Sequence, residues 1–234
     1  MDREYLSLVR LEYKKHTVKI YVIASVIGTL FSLLLSIFFL FIPKFDITSY
    51  ELNSIKFILM MNSTFIMGVY SFILAAMIIE YIIKPYSGYY LYKTLSYPVN
   101  RDKIFLSKIF SCVIFVISFC FISLILTDII LYFSNLLFKI VNNDFYSSFF
   151  IYEILVNIYI VIVVLGIAFG SLLICWRKKS TIRMMIGVFI SYSIIGNQIQ
   201  FNFIIFRLIL ILINIFIVFF TIFYLLNNIR RMEV

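Results

Sequence analysis

Ile20-Tyr-Val-Ile-Ala-Ser-Val-Ile-Gly-Thr-Leu-Phe-Ser-Leu-Leu-Leu-Ser-Ile-Phe-Phe-Leu-Phe-Ile42, stopped by Pro43, runs for 23 residues without a charge. A helix needs about 20 apolar residues to cross the hydrocarbon core of a bilayer, so this stretch reads as one crossing. Comparable runs recur along the chain, and the spans are predicted at about 20–42, 57–80, 109–131, 151–175, 184–199 and 203–226. Hydrophobic residues make up 64% of the 234 residues and charged residues 13%, a balance foreign to a soluble domain. The expected fold class is therefore an all-α polytopic membrane protein with six transmembrane helices. No internal repeat or low-complexity linker divides it, so residues 1–234 read as a single domain.

A formal net charge of +9 would suit a nucleic-acid binder, but the positions of the charges argue against one. Sixteen of the 20 Lys and Arg fall before span 1, between spans 2 and 3, between spans 4 and 5, or after span 6. Lys44, Lys56, Lys139 and Arg207 are the four on the other side. The positive-inside rule then puts both termini in the cytoplasm of a multi-pass cell-membrane protein. The basic surplus reports topology and contact with anionic lipid, and no nucleic-acid partner is expected.

Before span 1, residues 1–17 form a basic leader with helical periodicity. Tyr5, Leu6, Val9 and Tyr13 gather on one arc, opposite Arg3, Ser7, Arg10 and Lys14, as in a helix lying in the headgroup layer. Because no small-residue cleavage site breaks the first apolar run, it is expected to persist as a span. Cys112, Cys120 and Cys175 all lie within apolar runs and read as small buried hydrophobes, and His16 stands without a ligand set. No metal site is expected.

Spans 5 and 6 meet at Gly196-Asn-Gln-Ile-Gln-Phe-Asn202. From Met184 to Ile199 a helix rises only about 24 Å, short of the roughly 30 Å of hydrocarbon. Irregular backbone at that depth needs shielding by protein or a wet cavity, so the end of span 5 should face the interior of an assembly.

The segment between spans 2 and 3 reads Glu80-Tyr-Ile-Ile-Lys84-Pro85-Tyr-Ser-Gly88-Tyr89-Tyr-Leu-Tyr92-Lys-Thr-Leu95-Ser-Tyr-Pro98-Val99-Asn-Arg101-Asp-Lys-Ile104-Phe-Leu-Ser-Lys108. Pro85 and Gly88 can start a helix that Pro98 ends, leaving about two turns rich in aromatic residues, too short to be stable alone. Such a piece is a docking surface in need of a partner. Glu80, Gly88, Leu95, Pro98, Val99, Arg101, Ile104 and Lys108 match in type and order the signature of permease subunits of the ABC-2 family of ATP-binding-cassette transporters, which the chain resembles. Tyr89 departs from the Thr or Ser that commonly follows the glycine, and the connection between spans 5 and 6 is shorter than in larger members.

The resemblance implies a permease that pairs with a second copy or a paralogue, homodimer or heterodimer, and is driven by a separate ATP-binding-cassette subunit. ATP and Mg would sit on that partner, this chain binding no cofactor. Its coupling helix would present Gly88, Tyr89, Tyr92, Leu95, Pro98 and Arg101 to the motor, while Glu80 pairs with Arg101 or Lys108. The cargo class it implies is a hydrophobic or amphipathic molecule, such as the antimicrobial or toxin-like peptides expelled by compact Gram-positive systems. A lipid or drug exporter, or a non-transporting immunity or sensor protein, remains open beside it.

Asp128, Glu153 and Arg207 are charges at membrane depth near the outer side, expected to pair with one another or to line an exit for cations. The chain has no G-x-x-x-x-G-K-[ST] loop, HExxH or GxSxG motif and no intramembrane aspartate pair, so it reads as neither the motor nor an enzyme.

Overall fold

The structure is a computed structural model that describes residues 9, 11–13, 17–44, 54–87, 101–138, 148–176, 178–196 and 204–230. Its regular elements are the helices α1 (Val18–Phe41), α2 (Ile55–Ile78), α3 (Arg101–Phe138), α4 (Ser148–Trp176), α5 (Thr181–Gly196) and α6 (Ile204–Arg230). The α2 helix runs on without a break through a π turn, Ile79–Ile83, and a 3-10 turn, Lys84–Tyr86. A helix satisfies its backbone donors and acceptors internally, and hydrocarbon leaves few other choices. Pro43 cannot donate a backbone bond and closes α1 in a 3-10 turn, Ile42–Lys44.

Five of these helices are long and apolar enough to cross a membrane: α1, α2 with its extension, α3, α4 and α6. The sixth apolar run, α5, has 16 residues and is shorter than a full crossing. Successive helices alternate in direction. Val18, Tyr86, Arg101, Trp176, Thr181 and Arg230 therefore gather at one end, here called the leader end, and Phe41, Ile55, Phe138 and Ser148 at the distal end.

The bundle is organised around α2, which packs against α1, α3, α4 and α5, while α4 packs in turn against α6 and α5. Burial follows: 78% of the apolar window of α2 and 67% of that of α4 are inside the protein, against 17% for α1 and 22% for α6. The outward faces of the two peripheral helices carry Ile27, Phe31, Leu34 and Phe38 on α1, and Leu212, Phe216, Phe219 and Phe223 on α6. So continuous an apolar surface is stable only against lipid or another protein.

The boundaries differ from the sequence expectation at the charged ends. α3 starts at Arg101 rather than Ile109 and ends at Phe138 rather than Leu131; its 38 residues rise about 57 Å, so it must project beyond the hydrocarbon. Lys103 and Lys108 do not delay it, since a helix backbone tolerates a lysine wherever the side chain finds a place. α2 likewise continues past Glu80, the residue taken to close it. In the leader, Val9 and Leu11–Tyr13 are helical. Val9 is buried, Leu11 is exposed, and the Tyr13 hydroxyl donates to the Ser111 carbonyl at 2.7 Å, docking the leader on α3. Burial pushes the Tyr13 phenol up to about 12, so it stays a donor throughout the physiological range. Tyr5, Leu6, Arg3, Ser7, Arg10 and Lys14 lie outside the described residues. All three cysteines are free and buried.

Close helix approach depends on glycine where α4 meets α6. A Cβ built on Gly166 would fall 1.8 Å from Oδ1 and 2.7 Å from Cβ of Asn214, too near for any rotamer change to relieve fully. Small residues permit such contacts where lipid gives helices no solvent-driven reason to associate. Gly166→Ala is expected to lower unfolding stability by about 1–3 kcal/mol through overpacking. Adding Asn214→Ala, which removes Oδ1 and Cγ but keeps the Cβ at 2.7 Å, should recover part of that loss, a coupling that a double-mutant cycle on the purified protein will measure.

Candidate functional site

Two groups of polar side chains are assembled at opposite ends of the bundle. In the distal half, a chain of buried hydrogen bonds crosses four helices. Ser36 on α1 donates to Oδ1 of Asn62 on α2 at 3.2 Å. Nδ2 of Asn62 donates to Oγ1 of Thr127 at 2.8 Å and to Oδ1 of Asp128 at 3.2 Å, both on α3. Nδ2 of Asn157 on α4 completes the chain by donating to the other oxygen of Asp128 at 2.9 Å. One carboxylate thus accepts from two amides and is held on both sides.

One turn along α4, Glu153 is 6% exposed and neither of its oxygens has a hydrogen-bond partner. Lys56 and Arg207 are the cations whose fields reach it, but both are engaged elsewhere. Lys56 Nζ lies 5.0 Å and Arg207 Cζ 5.5 Å from the centre of the Tyr152 ring, and Arg207 donates to the Tyr152 hydroxyl at 2.7 Å. Each is a cation–π contact.

At the leader end, Tyr86, Phe105 and Trp176 form an aromatic triad joining the extension of α2 to α3 and α4. Their ring centres lie 5.9 Å (Tyr86–Phe105), 6.1 Å (Tyr86–Trp176) and 6.5 Å (Phe105–Trp176) apart. Lys108 Nζ lies 5.5 Å over the Tyr86 ring, and Lys179 Nζ lies 5.7 Å over Trp176 and donates to the Tyr86 carbonyl. Burial lowers the Lys179 pKa. The backbone of Lys179 is left-handed, with φ of 45°, and its N–H caps α4 by donating to Cys175 O at 2.9 Å. Glycine or asparagine is usual at such a cap; the side-chain tie to Tyr86 explains a lysine there. Tyr21 on α1 donates to Glu80 at 2.5 Å, beside an open groove of about 610 Å³ between α1, α2 and α5 that also takes in Lys84, Thr181 and Met185. The exposed Arg230–Asp102 bridge at 2.7 Å connects α6 to α3, and exposed bridges contribute little.

No protein-family model matches the chain, and neither a curated protein nor a solved structure is detectably similar to it.

Of the residues picked out from sequence, Gly88, Tyr89, Tyr92, Leu95 and Pro98 lie outside the described residues, as does the side chain of Arg101. Glu80 accepts from Tyr21, and Lys108 is buried above Tyr86. Asp128, Glu153 and Arg207 do share the distal half, but the expected pairing of the acids with Arg207 is not made. The lone pairs of Asp128 face two amides, and Tyr152 captures Arg207 through both ring and hydroxyl. Among the described residues no group of three His, Cys, Asp or Glu side chains comes together to hold a metal ion. Sequence reasoning missed Asn62, Ser36 and Thr127. Asn62 carried a usable signal, an amide deep in an otherwise apolar run, whereas the hydroxyls did not, since Ser and Thr can satisfy themselves on their own helix.

Asn62→Leu removes the donor that Asp128 and Thr127 share with α2, and the expected loss of stability is about 1–3 kcal/mol, because a buried polar group then stands short of its partner. The triple variant Asn62→Leu/Asp128→Leu/Asn157→Leu, which leaves no amide of the chain facing a missing carboxylate, is expected to be more stable than Asn62→Leu alone, as read by chemical unfolding in lipid or detergent.

Proposed function

We propose that this chain is the membrane subunit of an ATP-binding-cassette exporter, resembling ABC-2 permeases, whose motor is a separate polypeptide. The observation that supports this most is the way both ends of the 88–100 segment are fastened. Tyr86 leads into it and Phe105 follows it, and the two rings meet each other and Trp176, while Lys179 holds the Tyr86 carbonyl. Force applied to that segment would be delivered at once to α2, α3 and the turn between α4 and α5. In this reading the segment is a coupling helix whose Tyr89, Tyr92 and Leu95 enter a groove of the motor subunit, and both termini share its cytoplasmic side.

A second copy or paralogue completes the permease. α5 is too short to cross alone and shows Ile182, Ile186, Phe189 and Ile194 on its outward side. Packing that face against another permease chain would shield the backbone beyond Gly196, as hydrocarbon demands. A partner helix there also makes α5 the sixth span of the predicted plan.

The cargo is a hydrophobic or amphipathic molecule, such as an antimicrobial or toxin-like peptide. A lateral groove of about 260 Å³ between α1 and α3, lined by Leu30, Leu33, Phe119, Ile122 and Leu126 with the hydroxyls of Thr29 and Ser123, suits an apolar chain. It equally suits a lipid tail, which favours lipid export as the second reading.

The experiment is co-purification with candidate ATPases of the same cell, followed by ATP turnover in lipid. The expected result is a stable complex lost on Tyr89→Ala/Tyr92→Ala/Leu95→Ala; a chain that retains no ATPase, or moves cargo without one, removes the reading. Lys179→Gly should keep the left-handed turn and the fold while lowering cargo-stimulated turnover, since the side-chain ties to Tyr86 and Trp176 are lost.

A further inference from the structure

Three buried acceptor atoms without a hydrogen-bond donor lie close together on α4: both carboxylate oxygens of Glu153 and Oδ1 of Asn157. Residues four apart share one face of a helix, and both side chains are more than nine-tenths buried. An ionised carboxylate in such surroundings is strongly disfavoured until a proton or a cation meets it.

Most of the neighbouring groups make contacts of their own. The NH2 of Asn157 is given to Asp128, whose own oxygens face Asn62 and Asn157. Lys56 and Arg207 rest on Tyr152, two and four residues into their helices. The hydroxyl of Tyr159, further along α4, is itself without a partner. Among the described residues just inside the distal end, Glu153 is a carboxylate with no hydrogen bond, and Asn157 supplies a further acceptor one turn deeper.

We propose that the Glu153–Asn157 face of α4 is a binding site for a primary ammonium group. An ammonium carries three N–H donors and no acceptor, which matches three acceptors that lack donors. A proton on Glu153 supplies one donor, which Asn157 Oδ1 can accept, and leaves the other carboxyl oxygen without one. A divalent ion would bring twice the charge of an ammonium beside Lys56 and Arg207, and no group of three acidic, His or Cys ligands comes together among the described residues. Next to the site the buried face of α4 is apolar, with Val156 and Ile160, so the ligand is an amine on a hydrophobic body. The export reading enters at one point, the assignment of that amine to the cargo.

The test uses the full chain in lipid nanodiscs titrated with decylamine, decyltrimethylammonium and sodium chloride, followed by calorimetry. Decylamine is expected to bind saturably and at least about tenfold tighter than the quaternary analogue, which carries the same charge and no donors. Glu153→Gln, isosteric and neutral, should weaken decylamine by at least about tenfold. Should that variant fail to fold, infrared difference spectra of the unmodified chain with labelled glutamate read the same event, as decylamine converts a buried carboxyl to carboxylate. Equal binding of the two amines, unchanged affinity in Glu153→Gln, no carboxyl signal, or saturation by sodium alone would each overturn the site. Failure here beside a working ATPase complex removes only this site. Amine binding by a chain that recruits no ATPase keeps the site and removes its link to cargo.

Discussion

The amide of Asn62 sits where hydrocarbon offers no water, so every hydrogen bond it forms must come from another helix or be forgone. It takes one from Ser36 and gives two, to Thr127 and Asp128. Asp128 extends the same requirement to Asn157 on α4. Shifting any one of the four helices by a single residue turns its side chains by about 100° and strands at least one buried polar atom. Apolar packing between lipid-facing helices specifies register weakly, because leucine against leucine resembles leucine against lipid. The polar chain supplies the missing specificity, and α2, which contributes its central residue, is accordingly the most buried helix.

The leader end is held together by different means. There the side chains are amphipathic, and tyrosine, tryptophan and lysine can keep an apolar body inside while a polar tip reaches water or a carbonyl. Tyr86 is used from every side: its ring meets Phe105, Trp176 and Lys108, and its carbonyl takes the ammonium of Lys179. The left-handed backbone of Lys179, disfavoured for any residue with a Cβ, is tolerated because that tie over-determines its position.

How far such features can be read from sequence depends on their range. The apolar runs and the position of Pro43 are local, and α1 and α4 come out close to the predicted limits. Charge misleads at the leader ends of α2 and α3: a glutamate closing span 2 and a lysine opening span 3 fit the apolar limits, whereas both helices extend past them, Lys108 folding over Tyr86 and Glu80 accepting from Tyr21. Asp128, Glu153 and Arg207 are recognisable as intramembrane charges, and their gathering in one region follows from the alternating direction of the helices. Their partners do not follow: Asp128 and Asn62 are 66 residues apart, and only helix rotation decides that they meet. The preference of Arg207 for Tyr152 over its neighbour Glu153 turns on rotamers, which leave no trace in periodicity.

α4 links the two ends physically. It carries Glu153 and Asn157 in the distal half and Trp176 at the leader end, with no proline between them. The 23 positions from Glu153 to Trp176 correspond to about 35 Å of continuous helix. Along that length the one feature that favours a sharp kink is the Gly170-Ser171 pair, where the buried Ser171 lies close against Gly187 of α5; elsewhere a displacement of Trp176 by way of Tyr86 and Lys179 is carried along the helix. So carried, it rotates or slides α4 against α2 and α6, and at the far end that motion bears on Asp128 through Asn157 and on Arg207 through Tyr152. The side chains there are balanced between alternatives, an unpaired Glu153 standing beside two cations held by a ring. Small movements of such an arrangement exchange partners rather than stretch bonds, and packed interfaces behave in this way because they are bistable. In an exporter, that property would let a push at the leader end change what the distal end can hold.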